Sequence, residues 1–125
     1  MEYIAALVSP FFILLIENFL PYPYVIEELF KFFLAKWASS TKVAVILGLL
    51  FSISEAIFYS MNPNAPLYRI LFVAPMHITT ILIMQYFLNV IQLRHKKNLW
   101  PIGLLLAILI HYLFNYSMVG LNPAV

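Results

Sequence analysis

The sequence predicts an all-α membrane protein, a bundle of about five transmembrane helices, and three observations lead there. Of its 125 residues 64% are hydrophobic and only 10% charged, with a mean hydropathy of +0.95. A soluble domain is nearer half apolar and a quarter charged. A core this small cannot bury that much apolar surface, so lipid must be the solvent for most of it. The apolar residues also fall into five segments separated by short polar or proline-bearing breaks. Finally, the ionisable residues inside those segments share helix faces with small residues, as inward-facing stripes of a bundle do. Five acids against seven Lys or Arg leave a net charge of +2, too little for a nucleic-acid surface. With no cysteine, disulfides, thiolate zinc sites and cysteine nucleophiles are excluded.

The first segment, about 3–19, ends at Pro21 and Pro23. It follows a short N-terminus as a signal peptide would. Met1-Glu2 lacks a positive n-region, however, and no small-x-small cleavage site precedes Pro21, so a retained helix is expected. The second, about 24–37, is short for a full span and carries acids near its start. The third, about 42–61, stops at Asn62-Pro63-Asn64-Ala65-Pro66. The fourth, about 67–93, is long enough to span while tilted and to be kinked at Pro75. The fifth, about 101–118, opens on Pro101, a favoured first-turn residue. Connections this short leave no room for a second domain, so residues 1–125 are read as a single domain. With five spans, Lys36, Lys42, Arg94, Lys96 and Lys97 share a side with the N-terminus, and only Arg69 lies opposite. The positive-inside rule then puts the N-terminus in the cytoplasm and the C-terminus outside. The expected location is the cell membrane, with lipid as a partner.

A charge near the bilayer centre costs at least about 2.5–3.5 kcal/mol, so such residues usually face a bundle interior. On the third segment Gly48, Ser52, Glu55 and Tyr59 form one stripe. On the fifth, Gly103, Ala107, His111 and Asn115 repeat every four residues, and His77 shares its face with Thr80. Glu27 and Lys31 are four apart, with Glu28 three from Lys31. At about 1.5 Å per residue, the two glutamates lie roughly 5 Å from the outer end, Glu55 and His111 roughly 10 Å and His77 roughly 15 Å. Each also has a plain structural reading. Glu27 and Glu28 can cap a helix beside Lys31, Glu55 can make a structural hydrogen bond, and the histidines can be satisfied interhelical donors. Taken together they supply the parts for activating water in a dry cavity. A buried carboxylate acts as general base, a histidine shares the proton, and His111 with Asn115 donates to a developing oxyanion.

Glu27-Glu28-x-x-Lys31, Phe51-x-x-x-Glu55, His77 and His111-x-x-x-Asn115, in that order on successive helices, resemble the PrsW family of membrane proteases. That family is related to the CAAX-processing and bacteriocin-immunity glutamic proteases. The resemblance covers residues 27–115 and implies a glutamic intramembrane endopeptidase working without a cofactor. It implies Glu27 as leading base, Glu28 beside it tuned by Lys31, and Glu55 in the second-motif position, with Tyr59 supporting. His77 would supply the imidazole, and His111 with Asn115 the oxyanion hole. Ala56 follows Glu55 where PrsW proteins often have Asn. The implied substrate is a single-pass or lipidated membrane protein, and a homo-oligomer would help enclose the site. Two other functions use the same residues: a metal-dependent hydrolase holding zinc or iron with Glu27 or Glu28, Glu55, His77 and His111, or a non-catalytic scaffold or small transporter. The second has a precedent in the γ-secretase subunit that shares this fold.

Overall fold

A computed structural model describes residues 1–17, 19–20, 22–61, 67–94 and 99–121, and these form five helices. They are α1 (Glu2–Glu17), α2 (Pro23–Trp37), α3 (Thr41–Ser60), α4 (Leu67–Arg94) and α5 (Trp100–Leu121). No strand occurs among the described residues. The helix boundaries have local causes. Tyr22 adopts a left-handed backbone (φ 74°) immediately before Pro23. Proline disfavours the helical conformation in the residue before it, so the chain breaks there and restarts with proline in the first turn. Ser40 accepts the backbone N–H of Val43 and caps α3 at 3.3 Å. At the end of α2, the Ala38 carbonyl accepts the Gln85 side-chain amide from α4 at 3.3 Å, satisfying one of the carbonyls a helix terminus leaves open.

Three helices are long and apolar enough to cross a membrane, with spans at Thr41–Phe58, Leu71–Val90 and Trp100–Met118. The first two helices fall short. With 16 and 15 residues, α1 and α2 reach about 24 and 22 Å, against about 30 Å of hydrocarbon. The five-span expectation thus becomes five helices of which three have full length. The shortfall of α2 is matched by its composition, since it carries Glu27, Glu28, Lys31 and Lys36.

Its position explains how it is tolerated. α1, α3, α4 and α5 pack in a row, each against the next, and α2 alone touches all four others. The most charged helix is therefore the hub of the bundle. Its buried stripe is Glu28, Lys31, Leu34 and Ala35, one helical face with a polar upper and an apolar lower half. Below the charges, Leu34 and Ala35 join Ala6, Ile13, Ala44, Leu47, Ile81 and Met84 in an apolar core. Outward-facing side chains such as Leu29, Phe33, Leu71, Leu105, Leu109 and Leu113 are exposed, the inside-out pattern expected where lipid is the solvent.

Two glycines set the helix separations. A Cβ on Gly48 would stand 2.9 Å from the Ile78 Cα, and one on Gly103 would stand 2.9 Å from the Phe87 Cβ. The first brings α3 onto α4 and the second α5 onto α4, close approaches that only glycine permits. Directions follow from paired contacts. Leu7 meets Ser54 and Phe11 meets Phe58, so α1 and α3 run parallel. Lys31 meets Thr80 and Ala38 meets Gln85, so α2 and α4 do as well. Phe32 meets Trp100 while Tyr24 meets Tyr112, so α5 opposes α2. The helices alternate, and the N-terminus, the α2–α3 turn and the end of α4 share one end of the bundle.

Candidate active site

Near the opposite end, four helices deliver ionisable side chains to one point. Lys31 lies at its centre, with no side-chain surface exposed. Its ammonium has three N–H groups and no lone pair, and three acceptors meet it. These are Glu28 Oε1 one turn back on α2, His77 Nδ1 at 2.7 Å and Thr80 Oγ1 at 3.3 Å, both on α4. The Thr80 hydroxyl is itself oriented by donating to the His77 carbonyl at 3.1 Å. A fourth side of the charge faces the Phe51 ring of α3, 5.3 Å to its centroid, within cation–π range. Phe51 also packs edge-on against the His77 ring at 4.9 Å.

From this centre the network runs outward in two directions. His77 Nε2 pairs with Glu55 Oε2 of α3. Glu28 Oε1 also accepts from His111 Nδ1 of α5 at 2.7 Å, and the other ring nitrogen of His111 lies 3.8 Å from Glu27 Oε2. The two imidazoles stand perpendicular, 5.7 Å between centroids. A buried charge removed from water costs several kcal/mol unless paired and hydrogen-bonded, and here Lys31 and Glu28 satisfy each other. Glu28 Oε2 is buried and has no hydrogen-bond partner among the described residues.

Two other acidic side chains keep part of their surface exposed, although the Glu27 Oε2 atom is buried. Glu27 keeps 14% and Glu55 15% of its side-chain surface exposed, whereas Glu28 keeps none. Glu27, Glu55 and His77 offer ligand atoms that all lie within 4.8 Å of one another. Such a grouping of two carboxylates and an imidazole is of the residue types that hold zinc or iron. Among the described residues Ser52 stays outside this cluster and donates back to the Gly48 carbonyl at 2.7 Å.

Of the residues singled out in the sequence, the structure brings together Glu27, Glu28, Lys31, Glu55, His77 and His111. Asn115 is half-buried one turn beyond His111, and among the described residues its amide has no hydrogen-bond partner. The Tyr59 side chain, with those of Arg69 and Arg94 and the loop residues His95, Lys96 and Lys97, lies outside the described residues. Two participants were underweighted in the sequence. Lys31 reaches across to α4 rather than serving only its own helix, and Thr80 is a ligand of its ammonium. The spacing of Thr80 from His77 was the available signal, since it places the hydroxyl on the imidazole's face.

No family model, curated protein or solved structure matches this chain. The PrsW-like motif order therefore stands on the residues alone, and so does any activity drawn from it.

Proposed function

We propose that the chain is a glutamic intramembrane endopeptidase that hydrolyses a peptide bond of a membrane-associated protein with a glutamate-activated water. The observation that carries this reading is the pairing of Glu27 and Glu55. Two part-exposed carboxylates from different helices meet beside two imidazoles, next to a Lys31–Glu28 pair that is fully buried. One carboxylate takes a proton as the water oxygen bonds to the substrate carbonyl carbon. The resulting acid returns that proton to the leaving nitrogen as the C–N bond breaks. The low-dielectric surroundings strengthen every hydrogen bond to the developing oxyanion.

The positive-inside rule supports a cytoplasmic N-terminus, because Lys36 and Lys42 flank the turn at that end of the bundle and Arg94 closes α4 there. The cluster then sits in the outer half of the cell membrane. The substrate class that fits is a single-pass or lipidated membrane protein, reached laterally through lipid, and a second copy of the chain would complete the enclosure of so small a bundle.

The test is to express the chain in a host membrane and map newly formed protein N-termini by mass spectrometry. Cleavages are expected with the wild-type chain and absent with Glu27→Gln and with Glu55→Gln. An identical set of termini from all three would end the peptidase reading and leave a scaffold. A second reading, a zinc- or iron-dependent hydrolase, draws on the 4.8 Å grouping of Glu27, Glu55 and His77. Stoichiometric metal in purified protein would favour it, and full activity in strong chelator would remove it. Against His77 as a ligand stands the Lys31 ammonium at its other nitrogen, where a metal-bound imidazole normally donates an N–H to an acceptor.

A further inference from the structure

We infer that the buried Lys31–Glu28 pair locks the two histidines of the cluster in opposite tautomers, His77 as a hydrogen-bond donor toward Glu55 and His111 as an acceptor toward Glu27. The assignment follows from the inventory of donors. An ammonium can only donate, so the His77 Nδ1 that meets Lys31 Nζ at 2.7 Å carries a lone pair. The single proton of a neutral ring is then on Nε2, and it points at Glu55 Oε2. At the other imidazole the logic inverts. Glu28 Oε1 already faces the Lys31 ammonium and presents only acceptor capacity, so the His111 Nδ1 at 2.7 Å donates. Its Nε2 is left with the lone pair, on the side of Glu27.

The rings are held to these states by geometry. His77 is fully buried and His111 nearly so, 0% and 3% of their side chains exposed. His77 is wedged against Phe51 on one side and His111 on the other, so neither ring turns over without dismantling its neighbour. Lys31 and Glu28 are positioning residues in this scheme. Both side chains are fully buried, yet they decide which imidazole nitrogen carries hydrogen.

The chemical roles that follow rest on the peptidase reading. With its Nε2–H given to Glu55, His77 holds that carboxylate in place. With a fixed Nε2 lone pair, His111 accepts a hydrogen bond from Glu27 once that carboxylate has taken the proton of the attacking water, and gives it up when the nitrogen leaves. This departs from the division implied by the family resemblance, in which His111 and Asn115 supply the oxyanion donors. It agrees with the position of Asn115, whose amide no described residue orients.

The tautomers can be read without any turnover. The chain has three histidines, and His95→Gln removes the one between α4 and α5. Nitrogen NMR of that protein, labelled at histidine and reconstituted in lipid, should give two neutral rings, one protonated at Nε2 and one at Nδ1. Contacts to Phe51 protons should identify the Nε2–H ring as His77. Lys31→Arg, which keeps a donor-only cation, should preserve the pattern, and Lys31→Met should let the His77 ring populate both tautomers. Two rings of the same tautomer, or a doubly protonated ring at neutral pH, would overturn the inference. Opposite tautomers in a protein that generates no new N-termini would instead retain the inference and discard the peptidase.

Discussion

The polar cluster has a sealed half and an open half, and the boundary runs between two consecutive residues. Glu28 is fully buried, holds Lys31 and His111, and lies on the stripe by which α2 packs into the bundle. Glu27, one residue earlier and rotated about 100° around the helix, keeps part of its surface open and faces Glu55 and His77. The same side chain thus serves two purposes according to which face of α2 it occupies. The sealed half solves the problem of placing a charged helix among four apolar ones. The open half holds the two carboxylates that the proposed peptidase would use. A buried ion pair is seldom the most stable filling for its volume, so its presence here is best understood as specification: it fixes where the hydrogens of two imidazoles point.

This contrast can be broken most severely from the sealed side. Lys31→Met leaves Glu28 buried without its cation, and the expected loss is about 3–5 kcal/mol in a detergent or denaturant unfolding measurement. Adding Glu28→Gln to Lys31→Met removes the orphaned charge and should recover much of it. A double variant as unstable as the single would contradict the pairing. On the open side the expectation inverts. Glu27→Gln and Glu55→Gln should lower any peptide cleavage by about 10²–10⁴-fold, while unfolding changes far less than for Lys31→Met.

The scaffold that holds the two halves together offers a smaller effect. Gly48→Ala forces a Cβ toward the Ile78 backbone, which cannot rotate away, and should cost about 1–3 kcal/mol. A neutral result would mean that α3 and α4 can separate without disturbing the His77–Glu55 pair, which circular dichroism with thermal unfolding would reveal. Smaller again is Gln85→Ala, which deprives the Ala38 carbonyl of its α4 donor at the far end of α2; about 1 kcal/mol is expected. Smallest is Asn115→Ala, expected to change unfolding by less than about 0.5 kcal/mol because no described partner is lost.

Much of the architecture was legible in the sequence because lipid imposes a simple rule. Proline and polar breaks separated the five helices, and the observed ends differ by only a few residues. α5 runs on to Leu121 rather than fading at Met118, since a single Gly120 costs only about 1 kcal/mol in a helix and the first proline is Pro123. The stripes of Gly48 with Glu55 and of Gly103 with His111 announced which faces turn inward. What periodicity could not supply was the reach of a long side chain. Glu28 and Lys31 at a spacing of three look like an ordinary intrahelical pair, and nothing in that spacing says that the ammonium continues to His77 and Thr80. Nor does sequence order reveal that α2, the least apolar helix, would occupy the middle. That follows from the cost of showing its charges to lipid, which is a property of the whole bundle. The separate fates of Glu27 and Glu28 were hidden for the same reason, because adjacency in sequence does not say which residue faces the hub.

The most direct test compares Glu27→Gln with Glu28→Gln in one preparation, reading thermal unfolding in lipid alongside the appearance of new protein N-termini. The sealed-and-open account predicts that Glu28→Gln lowers the melting temperature markedly, by roughly 10 °C or more for a loss of about 3 kcal/mol. It predicts that Glu27→Gln melts close to wild type while the cleavages disappear. Equal melting temperatures, or cleavage that survives Glu27→Gln, would contradict it.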